Sequence, residues 1–123
     1  MAPSIELILE GNSHDARRAR RAVLELLGDG PTVVFVSDAV LLTSELVTNA
    51  ALHTKGPGAL RASFANGVLR VEVSDGSPHV PTVTARGSTS VGGHGLRLID
   101  AVAYRWGANP EPGGKTVWFE LVV

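Results

Sequence analysis

The segment that decides the fold lies near the middle of the chain, where residues 41–54 read LLTSELVTNAALHT. Apolar and small residues occupy nearly every turn of this segment, which predicts a helix buried in the core. Besides serine and threonine, three larger polar residues interrupt the pattern. Glu45, Asn49 and His53 recur at every fourth position and therefore lie along one helix face. An unpaired carboxylate is costly to bury, so Glu45 either reaches solvent or has a function.

Two interpretations of this polar face follow. In the first, the three side chains form a solvated stripe on an amphipathic helix, and spacing alone favours this arrangement. In the second, a carboxylate and an amide line a cleft that holds a divalent cation and a nucleotide, because Mg²⁺ prefers oxygen ligands. His53 is the least specific of the three, since a histidine at a helix end is commonly a solvated cap.

The sequence on either side predicts further strands and helices. Asn66-Gly67 is a strong hairpin signal, because both residues tolerate positive φ. The predicted elements are a strand at 4–10, a helix from Ser13 or Asp15 to residue 27, the central helix from Ser37 or Asp38 to about residue 54, strands at 59–65 and 68–74, a loop at 75–95, a helix at 95–103, a strand at 104–108, a turn at 109–114 and a strand at 115–123.

This order of elements defines the expected fold class. Strands joined by short turns imply a mixed, mostly antiparallel sheet of about five strands, and three helices cover one of its faces. The expected architecture is an α+β two-layer sandwich. The loop at 75–95 is long for a compact domain, which is typical of a lid or a binding loop. The 123 residues suit a single domain spanning 1–123.

Composition excludes several classes of function. The chain contains no cysteine, which rules out disulfides and thiolate metal sites. Its formal net charge of -1 lacks the basic excess of proteins that bind nucleic acid directly, so no such partner is expected. No apolar run is expected to approach the roughly 20 residues of a membrane helix. The N-terminus does not resemble a signal peptide, and these observations together predict a cytoplasmic protein with no membrane partner.

Two segments that contain glycine complete the candidate site. Asp75-Gly76 follows a predicted strand, where an aspartate can present its carboxylate to an exocyclic amine, such as that of adenine, while the backbone turns sharply. Gly93-His94-Gly95-Leu96 opens a predicted helix, whose N-terminal N–H groups and dipole favour a phosphate. Taken alone, Asp75-Gly76 is more typical of an ordinary turn, and the glycine cluster at 93–95 is a weak signal of phosphate binding.

Taken together and in this order, the segments resemble the GHKL superfamily of ATPases and kinases, which has the Bergerat ATP-binding fold. Residues 45–53 read ELVTNAALH, similar to the N-box of that superfamily. Asp75-Gly76 resembles its first glycine box, and Gly93-His94-Gly95-Leu96 resembles its second. The ending GGKTVWFEL at 113–121 is similar to the closing strand of the short anti-sigma-factor serine kinases, the RsbW-like branch. The resemblance covers residues 15–121.

The resemblance implies ATP and Mg²⁺ as cofactors and gives each matching residue a role. Asn49 would be the Mg²⁺ ligand, and Glu45 the general base that aligns or deprotonates the attacking hydroxyl. Asp75 would accept a hydrogen bond from the adenine amine. The other implied nucleotide-binding residues are His53 near the nucleotide, Gly76 close to the base, Gly93, His94, Gly95 and Leu96 at the phosphates, and Thr116 near adenine.

The implied reaction transfers the γ-phosphoryl group of ATP to a serine of a STAS-domain anti-anti-sigma protein. A protein of this branch would also bind a sigma factor and hold it away from RNA polymerase, and the resemblance suggests a homodimer. The arginines at positions 17, 18, 20 and 21 form either a solvated face or a docking surface for an acidic partner.

Departures from the family pattern keep two other functions open. A second glycine is missing after Asp75, and Arg86 is the one cation in the loop at 77–92. The phosphate charge would then be met by Mg²⁺, backbone amides, and Arg97 or Lys115. These features fit a regulatory module that sequesters a protein without catalysis. A third function is the catalytic half of a split histidine kinase, which predicts phosphohistidine on a helical partner.

Overall fold

The computed structural model describes residues 3–53, 58–76 and 93–123. These residues form three helices and five strands, in the order that the sequence predicts. The elements are β1 (Ser4–Leu9), α1 (Asp15–Leu27), α2 (Val33–His53), β2 (Gly58–Ala65), β3 (Val68–Asp75), α3 (Gly93–Val102), β4 (Arg105–Glu111) and β5 (Gly114–Val122).

The strands form one sheet in the order β1-β2-β3-β5-β4, and each neighbouring pair is antiparallel. The three helices form the second layer, in which α2 contacts both α1 and α3 and packs against β3 and β5. This arrangement confirms the predicted α+β two-layer sandwich. The sheet, expected to be mixed, is antiparallel at every described pairing.

Alternation along β3 shows how the sheet separates the core from its outer face. Leu69, Val71 and Val73 are almost fully buried and belong to the same hydrophobic core as the α2 side chains Leu42 and Leu46. Because successive side chains of a strand point to opposite faces, the residues between them lie on the side away from the helices. Each buried aliphatic side chain contributes about 1.5–3 kcal/mol, so this contact fixes α2 over the middle of the sheet.

The central helix begins at Val33, earlier than the predicted start at Ser37 or Asp38. The Oγ1 atom of Thr32 accepts a hydrogen bond from the backbone N–H of Phe35 at 3.2 Å, which is the contact of a helix N-cap. The sequence pattern does not predict a helix start at Val33, because residues 33–36 read VVFV, a β-branched and aromatic run that is more typical of a strand.

This earlier start makes α2 long and strongly apolar. By length and composition alone, Val33–Ala51 could cross a membrane, so the expectation that no apolar run approaches this length is corrected. Helices buried in the core of folded domains have the same composition. Here α2 lies between the other two helices, and Leu42, Leu46 and Val47 are in the hydrophobic core.

The start of α1 is fixed differently from the sequence prediction. Neither Ser13 nor Asp15 caps the helix: the N-cap position is His14, which makes no side-chain capping bond. Asp15 is instead buried, and its carboxylate accepts hydrogen bonds from the backbone N–H groups of Glu10 and Gly11 at 3.0 and 2.8 Å. The carboxylate therefore holds the turn between β1 and α1.

The last hairpin is longer than predicted. Strand β4 extends to Glu111, and β5 begins at Gly114, so the turn is shorter than the expected 109–114. Pro110, which suggested a turn, pairs in register with Lys115. It is tolerated because β4 is an edge strand, where the missing N–H of proline costs no hydrogen bond to a further strand.

One buried hydroxyl on α2 leads to a stability prediction. Thr43 is fully buried, and its Oγ1 has no hydrogen-bond partner among the described residues. Thr43→Val keeps the shape and removes the unsatisfied polar group, so we expect the free energy of unfolding to rise by about 1 kcal/mol. Urea unfolding measures the change, with exposed Thr48→Val as the control. A loss of stability in Thr43→Val would contradict this account of the hydroxyl.

The outer face of the sheet carries a charged cluster centred on Glu120. Its carboxylate accepts hydrogen bonds from Arg105 and from Arg70, the latter at 3.1 Å, and its side chain is only 10% exposed. The guanidinium of Arg70 also lies over the Trp118 ring, 4.1 Å from its centroid. The hydrogen bond from Arg105, supported by that from Arg70, lowers the pKa of Glu120 below its ordinary value.

We expect this carboxylate to make folding stability sensitive to acid. Since the pKa of Glu120 is lower in the folded chain, the unfolded chain takes up the proton first as the pH falls. The stabilisation is complete above the ordinary value of 4.5 and is lost as the pH drops through the lowered value. The difference in unfolding free energy between wild type and Glu120→Gln should therefore shrink below that pH. A difference that is constant from neutral to acidic pH would contradict the assignment.

Candidate functional site

Helix α2 supplies the two residues at the centre of the candidate site. Glu45 and Asn49 lie one turn apart on this helix. Glu45 is half-buried, whereas Asn49 is only 3% exposed. The side-chain oxygen Oδ1 of Asn49 has no hydrogen-bond partner within the described ranges. A buried amide oxygen is costly to leave without a hydrogen bond, so Asn49 is a candidate ligand-binding residue.

Asp75 ends strand β3, and its buried side chain lies on the face of the sheet that packs against the helices. It is 8% exposed, and its Oδ1 accepts a hydrogen bond from the Lys115 ammonium at 3.0 Å. A narrow cleft of about 10 Å³ separates Asp75 from the second half of α2, where Val47 and Ala50 line it. The structure therefore brings Asp75 against the helix that carries Glu45 and Asn49.

Two glycines let the neighbouring strands approach the end of β3. A Cβ atom on Gly114 would lie 1.9 Å from the carbonyl oxygen of Asp75, and one on Gly58 would lie 2.3 Å from the carbonyl oxygen of Ser74. Both distances are far inside van der Waals contact, so a side chain at either position would push the strands apart. The end of β3, which carries the Asp75 carboxylate, is therefore packed closely between β2 and β5.

The second glycine segment forms the start of α3. The helix begins at Gly93, two residues before the predicted start, and it packs against α2. Leu96, assigned to the nucleotide, is 2% exposed and lies in the hydrophobic core. Its side chain anchors the helix. The surroundings of His53, Gly93, His94 and Gly95 lie outside the described part of the structure, so their assignments stay predictions, whereas Gly76 is described and exposed.

Thr116 is the assigned residue that the structure places away from the others. Residues 115, 117 and 119 of β5 are buried on the helix side, so Thr116 points to the opposite face, where its hydroxyl donates to Glu111. The register of β3 and β5 instead sets Lys115 directly opposite Asp75. The ammonium of Lys115, a candidate phosphate contact, donates a hydrogen bond to Asp75 instead.

The sequence contains a signal for this position of Lys115. Alternate residues of a strand share a face, so Lys115 lies on the same inner face as the apolar Phe119.

Comparisons with known proteins agree with this architecture. No protein-family model matches the chain. No curated protein matches it either. Among solved structures, the RsbU and RsbW domains of Rv1364c from Mycobacterium tuberculosis share 25% identity and a TM-score of 0.71 with it. The match covers 98% of this chain and 32% of that one, so the chain spans about a third of the length of its relative.

Two further solved structures come from the blue-light activated histidine kinase EL346 of Erythrobacter litoralis. The histidine kinase domain has a TM-score of 0.58 at 23% identity, covering 87% of this chain and 58% of its own. The other EL346 structure has a TM-score of 0.57 at 22% identity, covering 86% of this chain and 40% of its own. At these identities the likeness concerns the fold.

The fold defines a domain with the GHKL-type architecture of these kinase-type structures. Within that class, the chain has an RsbW-like fold, since the structure containing an RsbW domain matches nearly all of it at the higher TM-score.

Proposed function

We propose that this protein is an ATP-dependent serine kinase of the anti-sigma-factor type. It binds ATP with Mg²⁺, transfers the γ-phosphoryl group to a serine of a STAS-domain anti-anti-sigma protein, and sequesters a sigma factor. The observation that carries the proposal is the buried Oδ1 of Asn49, which has no partner among the described residues and lies one turn from Glu45 in an RsbW-like fold.

The residues present fit a magnesium nucleotide. The amide oxygen of Asn49 is a neutral oxygen ligand, suited to a hard cation that keeps several waters and bridges phosphates. Bound there, Mg²⁺ would neutralise the charge that develops on the transferred group. The start of α3, at Gly93, offers N–H groups to the phosphates, and the Asp75 carboxylate is the proposed acceptor for the base amine.

Glu45 is the proposed catalytic base. It is half-buried, so its carboxylate reaches solvent while its helix holds it beside Asn49. In the proposed step, the serine oxygen bonds to the γ-phosphorus while the bond from that phosphorus to the bridging oxygen of ADP breaks. The serine proton passes to the Glu45 carboxylate. Positioning and charge stabilisation supply most of the rate in such reactions, and both come from this one helix and its ligand.

The surface next to Glu45 suits a protein substrate. On the solvent side of α2, Leu41 is 40% exposed and lies one turn before Glu45, and Thr48 is exposed just beyond it. On α1, Arg17 and Arg21 are exposed and have no ion-pair partner within the described ranges. An exposed apolar side chain on α2 and arginines on α1 without an ion-pair partner among the described residues would favour a partner with an acidic, partly apolar surface.

The remaining elements of the proposal follow from this assignment. Phosphorylation of the antagonist would keep the sigma factor bound, whereas a dephosphorylated antagonist would release it. The protein would act in the cytoplasm, where both partners operate, and it would work as a homodimer. Sequestration needs binding without catalysis, so it is separable from the kinase step.

Incubation of the purified protein with a STAS-domain protein of the same organism, ATP and Mg²⁺ tests the kinase step. We expect one acid-stable phosphoserine on the STAS protein, located by mass spectrometry. No phosphoserine on any such partner would overturn the kinase claim, and an acid-labile phosphohistidine on a helical partner would point to a split histidine kinase. Retention of a sigma factor by Glu45→Ala would assign sequestration to binding alone.

A further inference from the structure

The ion pair between Lys115 and Asp75 differs from the other ion pairs of the described residues. Both partners are buried, with side chains 1% and 2% exposed, whereas each other pair has at least one partner more than a quarter exposed. Removing two charges from water is expensive, and apolar residues of similar volume are often as stable. Stability alone therefore does not explain a buried ammonium beside Asp75, whose carboxylate is assigned to the nucleotide base.

The backbone holds this ammonium at the site. Lys115 and Asp75 are register partners on adjacent strands, so both side chains point to the helix side of the sheet. Gly114 precedes Lys115 and lets β5 approach the end of β3, which keeps the two strands in close contact at this point. The Nζ–Oδ1 distance is 3.0 Å, and one of the three ammonium hydrogens is directed at Asp75.

We propose that Lys115 is a specificity-determining residue of the base subsite. Its ammonium donates a hydrogen bond to the ring nitrogen beside the exocyclic amine of adenine, N1 or N7, while Asp75 accepts a hydrogen bond from the amine. This inference rests on the proposed ATP-binding function and adds to it the group that reads the base. An ionised carboxylate offers about four lone-pair sites, so Asp75 can accept from both the lysine and the base.

The chemistry of the pair matches adenine and disfavours guanine. A carboxylate beside an ammonium presents an acceptor next to a donor, and adenine presents the complementary donor next to an acceptor. Guanine has an oxygen at the position of the amine, which would face the Asp75 carboxylate, and acceptors facing each other repel. Because charge-assisted hydrogen bonds inside a protein are strong, Lys115 contributes to affinity as well as to selection.

Nucleotides that lack one ring nitrogen test this inference on the wild-type protein. Calorimetric titration with ATP, 1-deaza-ATP and 7-deaza-ATP removes N1 or N7 in turn. We expect one analogue to bind about tenfold to a hundredfold more weakly than ATP, the loss of one hydrogen bond to a charged group. The sensitive analogue identifies which nitrogen Lys115 contacts. Both analogues binding within about twofold of ATP would overturn the inference.

Variants assign the effect to Lys115. In Lys115→Met, the sensitive analogue should bind as well as ATP, because the donor is gone, whereas Lys115→Arg should keep the discrimination. Circular dichroism checks that each variant is folded; if Lys115→Met is not, Lys115→Gln replaces it and should show a reduced discrimination. Discrimination that persists unchanged in the folded neutral variant would overturn the inference. Failure of wild type to bind ATP would instead overturn the proposed function, and this inference with it.

Discussion

Lys115→Met should unfold at a much lower urea concentration than the wild-type protein. The substitution leaves the Asp75 carboxylate buried without the ammonium 3.0 Å away. Removing one partner of a buried ion pair typically costs about 3–5 kcal/mol, because the remaining charge loses its compensation in a medium that solvates it poorly. Urea unfolding followed by circular dichroism measures the change.

A matched pair of variants separates the buried charge from the general loss of a side chain. Lys115→Met combined with Asp75→Leu removes both charges and should recover much of the lost stability. Arg61→Met is the control for an exposed pair, since Arg61 and Glu6 are 65% and 55% exposed and solvent screens such pairs strongly. A loss in Lys115→Met no larger than in Arg61→Met would contradict the structural role of the buried pair.

This result bears on how nucleotide binding is tested. Asp75→Asn removes the carboxylate assigned to the adenine amine, but it also leaves a buried ammonium without its counter-charge. A loss of ATP affinity in that variant would mix a lost contact with a destabilised site. Variants of Asn49 avoid this problem, because the Asn49 side-chain oxygen has no partner among the described residues.

Glu45→Gln should lower the rate of phosphoryl transfer to the STAS protein by about 10²–10⁴, the usual contribution of a general base. ATP affinity should change little, because Glu45 is assigned to the acceptor hydroxyl and not to the nucleotide. Single-turnover phosphorylation at saturating ATP measures the rate. Glu25→Gln, an exposed position on α1, is the control. Full activity in Glu45→Gln would show that the carboxylate does not act as the base.

Much of the fold was predictable because its signals are local. The polar face at Glu45 and Asn49 identified α2 within an otherwise apolar segment. The Asn66-Gly67 dipeptide predicted the β2–β3 hairpin, and both residues adopt positive φ, at 53° and 76°. A hairpin turn of this kind is set by the two residues themselves, so no information from distant parts of the chain is needed.

The errors at element ends have a different origin. The start of α2 depends on a cap from Thr32, whose effect is hidden by the strand-like VVFV run that follows. The extent of β4 depends on its place at the sheet edge, which makes Pro110 acceptable. In both cases the local preference is overridden by a contact or a position that the sequence pattern does not display.

The site residues that belong to short sequence motifs were predictable, whereas those brought together by strand pairing were not. Asn49 and Asp75 were identified from short motifs, and the structure buries both. The Lys115–Asp75 pair joins residues forty positions apart, and its existence depends on the register of β3 with β5. Thr116 was assigned near adenine from the family resemblance, whereas the alternation of β5 places Lys115 on the inner face beside Asp75.

Calorimetric titration with ATP, in the presence and absence of Mg²⁺, shows whether the protein binds a magnesium nucleotide through Asn49. We expect saturable ATP binding to the wild type that weakens without Mg²⁺. In Asn49→Ala the affinity should be low and nearly independent of Mg²⁺, whereas Asn109→Ala, an exposed position on β4, should behave as wild type. Absence of ATP binding to the folded wild-type protein, or an Mg²⁺ effect that survives intact in Asn49→Ala, would contradict the account.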